Sequence, residues 1–420
     1  MTGGTFALAH PPHILLSVFT CAPNRGSETG VAWQWVLTLA RRGVTLTVVT
    51  QERNRAAIED WRAHDKEHSL RDVEFFYVSL FGDRRIPFGT AGHYAYYYIW
   101  QVAALLALLS TGAWRATTLI HHLVYGGINA GSLLFLLPRP FMFGPMGGGE
   151  TAPFALIRRF GLKPTLQESV RRLFILVSRI NPVLLLMQWR ATRILVKTSE
   201  SARCMIAGGR RVAVAVEIGA PIVDKVAVGM REESSRCRIL FAGRLIYWKG
   251  AEILADALLL LDRPGAELEV TVIGTGARGR EVATAFSRLQ HIQARVAGAV
   301  QQDQLFRIYQ RSDLFVFPSL HDSSGNVVLE AMAFGLPVVC VDLGGPPLLV
   351  GDCGVKVRAR GISYDAVVAA LAAAIRRLAD DPTERRRLSG LAAERARSIT
   401  WDAVITEGYG QLLSPLSPKD

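Results

Sequence analysis

The chain has 420 residues, which is long enough for two domains that each bury a full hydrophobic core. Half of the residues are apolar, and 48 basic side chains against 36 acidic ones give a net charge of +12 at pH 7. Basic apolar chains commonly contact anionic lipid or nucleic acid, but no aromatic RNA-binding signature or DNA-binding motif occurs here, so nucleic acid is disfavoured. Five scattered cysteines without a Cys-x-x-Cys pair disfavour a disulfide framework or zinc site and fit a reducing cytoplasm.

The N-terminal segment and two apolar stretches bear on membrane insertion. Residues 1–13 have neither a basic n-region nor a long apolar segment, so no signal peptide is predicted. Tyr94–Leu109 and Leu173–Trp189 are too short or too interrupted for a span of about 20 apolar residues. We therefore expect these stretches to be core or interfacial helices. The expected localisation is the cytoplasm or the inner face of the cell membrane.

The first half of the chain alternates strand-like and helical segments. The helix-like segment 31–42 follows the first strand, and 191–198 is predicted to be the last strand of this half. The predicted strands are 13–19, 45–51, 73–80, 117–123, 140–145 and 191–198. Such alternation predicts a parallel sheet covered by helices. A Gly/Pro turn at Glu217–Asp224 is the predicted linker.

The second half repeats the alternation. Its predicted strands are 238–244, 267–276, 294–300, 313–319 and 337–342, with a helix at Ala251–Leu261 after the first of them. A final helix is predicted at Trp401–Leu413. The sequence thus predicts an N-terminal α/β domain at 1–217, a second α/β domain at 218–398 and a C-terminal helical segment at 399–420.

The segment 318–347 carries two acids eight positions apart, Asp322 and Glu330. A turn-like stretch separates Asp322 from a predicted helix, which places Asp322 at the helix N-terminus and Glu330 about two turns in. The free backbone N–H groups of a helix N-terminus attract anions, and a carboxylate beside them accepts hydrogen bonds from sugar hydroxyls. Together these features indicate a sugar joined to a diphosphate as the ligand.

This segment resembles the acid-x7-acid signature of glycosyltransferase family 4, whose members are retaining enzymes. The family signature usually begins with Glu, and Asp322 replaces it here. The resemblance extends to Arg25–Gly30, Gly144–Glu150 and Gly243–Gly250, and it covers the chain from about residue 13 to 410.

The resemblance implies a GT-B fold, with two Rossmann-like domains facing across a cleft and a C-terminal helix returning to the N-terminal domain. It also implies transfer of a hexose from a nucleoside diphosphate (NDP) sugar to a hydroxyl of a glycan or lipid-linked acceptor, in surface polysaccharide or glycoconjugate biosynthesis. Two alternatives stay open: a sugar-nucleotide epimerase of the same architecture, and a non-catalytic sugar-nucleotide-binding subunit. The expected partners are the nucleotide sugar, the acceptor and an anionic membrane surface.

Arg244 and Lys249 are the predicted leaving-group clamp. Two fixed cations stabilise the charge that builds on the distal phosphate as the diphosphate leaves. The resemblance assigns this role to both residues, and an ordinary surface pair flanking a turn is the alternative. No Asp-x-Asp pair occurs in the sequence, so we expect neither a metal ion nor another cofactor.

The resemblance also assigns the donor contacts. Glu330 would bind the ribose hydroxyls and Asp322 the donor sugar, although Asp322 could instead cap the following helix. Backbone groups of the glycine-rich loops would approach the diphosphate or the base. The donor-binding residues are predicted to be Gly26, Gly30, Gly243, Gly274, Gly276, Ser324, Gly325, Asn326 and Val327.

Two further clusters are candidates in the first half. His121 and His122 end a strand, where the family places a histidine on the donor sugar; since neighbouring strand residues point to opposite faces, one of them is expected in the core. Gly148, Gly149 and Glu150 lie in a triple-glycine loop that could fold over an acceptor, and a simple connecting turn is the alternative.

Overall fold

The computed structural model describes residues 12–80, 90–207, 209–223 and 234–410. The signal-peptide prediction concerns residues 1–13, of which only 12 and 13 are described. Position 224 of the predicted linker and the end of the predicted final helix also lie outside the described residues.

The chain divides into two compact units. The first contains the described residues of 1–149, 174–218 and 401–420, and the second contains Glu150–Leu173 and Gly219–Thr400. The predicted boundaries placed Glu150–Leu173 in the N-terminal domain, whereas this segment belongs to the second unit. The helix that begins at Trp401 belongs to the first unit.

The first unit contains a seven-stranded sheet in which every neighbouring pair is parallel. Its strands are β1 His13–Val18, β2 Thr45–Gln51, β3 Val73–Val78, β4 Leu119–Val124, β5 Phe141–Met146, β6 Arg193–Val196 and β7 Val212–Val214, in the order β3-β2-β1-β4-β5-β6-β7. The prediction that 191–198 would be the last strand was wrong, because β7 follows it at the sheet edge. Three residues are too few to give an alternating apolar signal.

The second unit contains a six-stranded parallel sheet. Its strands are β8 Cys237–Ala242, β9 Leu268–Ile273, β10 Gln293–Ala297, β11 Leu314–Phe317, β12 Val338–Val341 and β13 Gly354–Val357, in the order β10-β9-β8-β11-β12-β13. This is the doubly wound order 3-2-1-4-5-6. The edge strand β13 was not predicted, while β11 and β12 are buried throughout, as their continuous apolar runs indicate.

Helices connect the strands of both sheets. They are α1 Ser27–Arg41, α2 Arg55–His64, α3 Thr90–Thr111, α4 Phe154–Ile157, α5 Leu162–Ile180, α6 Pro182–Arg190, α7 Ser199–Ala202, α8 Ala251–Leu259, α9 Gly279–Phe286, α10 Gln302–Arg311, α11 Asn326–Ala333, α12 Pro346–Val350, α13 Tyr364–Asp380, α14 Pro382–Ser398 and α15 Trp401–Tyr409. Among the described residues, no helix is both long and apolar enough to cross a bilayer. The apolar stretch Tyr94–Leu109 lies inside α3, and Asn181 separates α5 from α6 in the other stretch.

The strand order of the second unit fixes where its loops meet. β8 and β11 are neighbours, yet their connections leave in opposite directions along the sheet, to β9 and to β12. In doubly wound sheets, ligands bind outside the carboxyl ends of the strands at such a switch point. The loops 243–250 and 318–325 both lie at this point.

Candidate functional site

The loop after β8 packs directly against the end of β11. Gly250 has φ of +80°, and a Cβ on this residue would lie 2.2 Å from the carbonyl oxygen of Pro318, so only glycine fits. The carbonyl oxygen of Trp248 accepts hydrogen bonds from the Leu320 amide at 2.7 Å and the Ser319 hydroxyl at 3.1 Å. The residues next to Lys249 and Asp322 are thereby held together.

Lys249 and Asp322 form an ion pair across these two loops. Each side chain is only 14% exposed. Burial alone would raise the pKa of the Asp322 carboxyl, but the Lys249 ammonium and the backbone N–H groups of Gly325 and Ser324 outweigh it, and the pKa is lowered. Asp322 is therefore ionised near neutral pH.

Arg244 differs from Lys249 in its surroundings. Its side chain is exposed, and its guanidinium carbon lies 6.0 Å from the ring centroid of Trp248. Within the described part of the chain, it has no ion-pair or hydrogen-bond partner. Asp322 thus compensates the charge of Lys249, whereas the charge of Arg244 has no carboxylate partner among the described residues.

Asp322 also accepts hydrogen bonds within the turn that leads into α11. Its Oδ1 accepts from the amides of Ser324 and Gly325, both at 3.3 Å. Gly325 has φ of +74° and leads into the helix, whose first residues are Asn326 and Val327. These bonds hold the turn before the helix and do not reach its first amides, so they are not the helix cap that the sequence offered as an alternative. The ion pair with Lys249 was not predicted from the sequence.

Glu330 lies about one turn into α11, since the helix begins at Asn326, and not two turns as predicted. The Tyr309 hydroxyl donates to its Oε2 at 3.2 Å. Burial raises the pKa of Glu330 to about 7, although the Tyr309 hydrogen bond acts in the opposite direction. Tyr309 was missed by sequence reasoning, because no motif marks its position in α10.

Gly274 and Gly276 of the second unit lie where two loops pack too closely for a side chain. A Cβ on Gly274 would lie 1.9 Å from the carbonyl oxygen of Gly243, and one on Gly276 would lie 2.3 Å from that of Leu245. These close approaches pack the loop after β9 against the loop after β8. A donor contact by Gly243, Gly274 or Gly276 stays a prediction.

His121 and His122 are both fully buried in β4. The two ring nitrogens of His121 lie 2.6 Å from the Tyr409 hydroxyl and 2.6 Å from the carbonyl oxygen of Gly144. Those of His122 lie 3.0 Å from the hydroxyls of Ser17 and Tyr97. Burial lowers the pKa of His121 to about 4 and of His122 to about 3, so both rings are neutral. This arrangement favours the core role for both histidines, and we do not propose either as a donor contact.

The glycine loops of the first unit also have packing roles. Gly30 lies inside α1, where a Cβ would meet the carbonyl oxygen of Arg25 at 1.9 Å, whereas Gly26 has open space around its Cβ position. The amide of Gly149 donates to the Ser201 hydroxyl at 3.1 Å. A Cβ on Gly149 would meet the Ser201 Cα at 2.6 Å, and Gly148 has φ of +102°.

Glu150, the last residue of that loop, begins the second unit and is 2% exposed. Its carbonyl oxygen accepts from Arg171 Nε at 2.9 Å, and its carboxylate lies 4.0 Å from the same guanidinium. Within the described part of the chain, no group of three or more His, Cys, Asp or Glu side chains is placed to hold a metal ion.

The second unit also matches a known family. Residues 236–381 match the family model described as Glycosyl transferases group 1. The chain is 31% identical over 180 residues to a glycogen synthase of Mycobacterium tuberculosis, covering 42% of each chain. It is 35% identical over 175 residues to a D-inositol 3-phosphate glycosyltransferase of Streptomyces avermitilis, covering 39% of this chain and 36% of that protein. The match thus spans less than half the length of these relatives.

Solved structures resemble nearly the whole chain at low identity. Sucrose-phosphate synthase from Thermosynechococcus elongatus aligns with a TM-score of 0.65 and 17% identity, over 97% of this chain and 100% of that one. HepE from Anabaena, solved in complex with UDP, aligns with a TM-score of 0.61 and 18% identity, over 96% and 100%. Both sheets therefore follow the predicted α/β fold class of GT-B proteins. The acid-x7-acid segment lies within residues 236–381, which match the model of group 1 glycosyl transferases.

Proposed function

We propose that the protein is a retaining glycosyltransferase that moves a hexose from an NDP-sugar to a hydroxyl of a glycan or lipid-linked acceptor. The observation that carries this proposal is the Lys249–Asp322 ion pair at the carboxyl ends of β8 and β11, with Arg244 beside it. A cation pair and a carboxylate suit a ligand that joins a diphosphate to a polyol. The UDP complex of the similar HepE structure supports a nucleotide-sugar donor.

Each charged group has a separate role in the proposal. Arg244 and Lys249 stabilise the charge that develops on the distal phosphate when the glycosidic bond breaks. Asp322 accepts hydrogen bonds from a donor-sugar hydroxyl, and Glu330 accepts from the ribose hydroxyls. Lys249 therefore bridges the departing phosphate and the carboxylate that holds the sugar.

The proposed sugar transfer needs no additional base. The acceptor oxygen forms a bond to the anomeric carbon on the face from which the phosphate oxygen leaves, and that phosphate oxygen takes the acceptor proton. The products are the glycoside, with its anomeric configuration retained, and the NDP. The fixed charges of Arg244 and Lys249 would replace a metal ion in this step.

We further propose that the acceptor is reached at an anionic membrane surface. One face of α5 exposes a run of large apolar side chains, at Leu162, Leu166, Val170, Leu173, Phe174, Leu176, Val177 and Ile180. At about 100° per residue these positions fall within roughly 160° of the helix circumference. The neighbouring α6 exposes Leu186 and Trp189.

The charges around this apolar face favour anionic lipid as its partner. Lys163 and Arg179 on α5 and Arg190 on α6 are exposed, and the chain carries a net charge of +12. Arg171 and Arg172 are half-buried and donate to backbone carbonyls of Glu150 and Ala152, so they contribute less to the surface than the sequence indicated. A basic amphipathic helix of this kind lies in the bilayer interface.

A thermal-shift panel tests the donor proposal. A ligand that binds only the folded state raises the Tm by mass action. We expect one class of NDP-sugar to raise the Tm, and we expect a much smaller rise in Arg244→Ala at the same ligand concentration. Absence of any shift with all common UDP- and GDP-sugars would contradict a nucleotide-sugar donor.

A further inference from the structure

A buried polar pair joins α5 to the loop that carries Asp322. The Glu168 carboxyl Oε2 lies 3.6 Å from Nε2 of His321, with the two side chains 0% and 7% exposed. Within the described residues, neither of these two atoms has a hydrogen-bond partner. The other carboxyl oxygen of Glu168 accepts from the Ala152 amide at 2.8 Å, which fixes the direction of the carboxyl group.

The same pair also contacts the loop that carries Lys249. The His321 ring stacks on the Trp248 ring, with centroids 4.8 Å apart and an angle of 19° between the planes. The Tyr247 hydroxyl interacts with the Glu168 carboxyl. The pKa of Tyr247 is raised to about 12, mainly by burial and to a smaller extent by the negative charge of Glu168. Glu168 therefore contacts a residue next to Asp322 and a residue close to Lys249.

The charges around the pair favour one shared proton. Burial lowers the pKa of His321 well below its usual value, and the cations of Arg171, Lys249 and Arg244 lower it further. Burial raises the pKa of Glu168, although the Ala152 amide, Arg171, Arg172 and Tyr247 act against it. One proton between Oε2 and Nε2 satisfies both atoms, once they approach to about 3 Å.

We propose that Glu168 and His321 are positioning residues that hold Lys249 and Asp322 in register for sugar transfer. This proposal rests on the proposed function, because it concerns the same charged pair. Neither side chain needs to touch the substrate. Misplacement of a catalytic group by about 1 Å can cost roughly a hundredfold in rate, so a small relaxation of the two loops is enough to be measured.

Two matched variants separate the polar contact between Glu168 and His321 from the packing around it. His321→Phe keeps an aromatic ring on Trp248 but removes Nε2, and Glu168→Gln keeps the shape but removes the carboxyl. We expect each to lower kcat about tenfold or more, with the donor KM changed less than threefold. Because the two atoms act as one unit, the double variant should lose no more than the worse single variant. Unchanged kcat, or additive losses, would overturn the positioning role.

A control variant identifies plain destabilisation. Asp313→Asn breaks the largely buried ion pair with Arg238, which measures 2.9 Å and lies at the opposite end of β11. It should lower the Tm and leave kcat near the wild-type value. A kcat loss in this control equal to that of His321→Phe would show that destabilisation alone explains the effect. If His321→Phe does not fold, His321→Leu, which also removes Nε2, takes its place in the cycle.

A measurement without turnover separates this proposal from the proposed function. In protein labelled with ¹⁵N-histidine, the ring signals of His321 should shift when Glu168 is replaced by Gln. This readout stands even if no sugar nucleotide is turned over. Ring signals that are identical in wild type and Glu168→Gln would overturn the shared-proton pair, whatever the activity.

Discussion

The ammonium of Lys249 is paired with the carboxylate of Asp322, the residue that stands where the family signature usually has Glu. The shorter side chain of Asp322 contacts a cation on the facing loop and the amides of Ser324 and Gly325, in the turn before α11. The carboxylate and the cation act as one unit. Loss of Lys249 leaves the Asp322 carboxylate without its cation.

Removal of Arg244 and removal of Lys249 should both slow turnover but should differ in their effect on stability. Arg244→Ala and Lys249→Ala should each lower kcat by about a hundredfold or more, as removal of one preorganised stabiliser does. Lys249→Ala should also lower the Tm, because it leaves the buried Asp322 carboxylate unpaired, at a cost of about 3–5 kcal/mol for a fully buried pair and less here. Arg244 is exposed, so its removal should leave the Tm nearly unchanged. Steady-state kinetics and thermal unfolding measure both effects.

A double variant provides the control for this prediction. Lys249→Met with Asp322→Asn removes both charges, so we expect part of the lost Tm to return while kcat stays low. Turnover near the wild-type rate in both single variants would contradict the clamp. A Tm loss in Arg244→Ala equal to that in Lys249→Ala would contradict the assignment of the ion pair.

The two acids should differ in their effect on free NDP. Glu330→Gln should weaken NDP binding, because the ribose contact needs the carboxylate, whereas Asp322→Asn should spare NDP and impair use of the intact donor. Isothermal titration with NDP and with NDP-sugar measures the difference. Equal loss of NDP affinity in both variants would show that the ribose and sugar roles are wrongly divided.

The pKa of Glu330, raised to about 7, predicts a pH dependence of stability. The unfolded state releases this proton near pH 4.5 and the folded state near 7, so the folded state holds more protons within this window. Stability from this group therefore falls as the pH rises from about 4.5 to 7, by at most about 1.4 kcal/mol per pH unit. Glu330→Gln removes this dependence. Urea denaturation of both proteins at pH 5 and 8 tests it; equal pH slopes would exclude a raised pKa.

Much of the fold follows from the sequence, and the side-chain network does not. β2 coincides with its predicted residues, because its β-branched and apolar side chains are typical of a buried strand. The edge strands β7 and β13 were missed, since they are only three and four residues long and are half-exposed. The core role of His121 depends on Tyr409, 288 positions away, and no local pattern can indicate that partner.

Metal removal tests the electrostatic argument separately. In the proposed mechanism, Arg244 and Lys249 supply fixed positive charge at the leaving group, so turnover should persist in excess EDTA. The matched control is the same assay with added Mg²⁺ or Mn²⁺, which should change the rate less than twofold. Complete loss in EDTA with recovery on adding metal would contradict the proposed clamp chemistry.

The membrane proposal predicts selective binding to lipid. The protein should co-sediment with anionic liposomes, bind neutral ones weakly and be released partly by high salt, because each surface cation adds about 1 kcal/mol that salt screens. It should also be extracted by carbonate. Leu166→Gln with Phe174→Gln should reduce binding, whereas Leu260→Gln, an exposed leucine at the end of α8, should not. Equal liposome binding by all variants would show that the apolar face of α5 is not the lipid-binding surface.

Proton NMR of a sugar nucleotide with the purified protein tests the central claim most directly. With an α-linked donor and water or an added acceptor as the hydroxyl, we expect NDP release and a first-formed sugar product of α configuration, both nearly abolished in Arg244→Ala. A β product would contradict retention, and conversion to a new sugar nucleotide without NDP release would indicate an epimerase. No change in any donor, with or without acceptor, would indicate a non-catalytic binding protein and contradict sugar transfer itself.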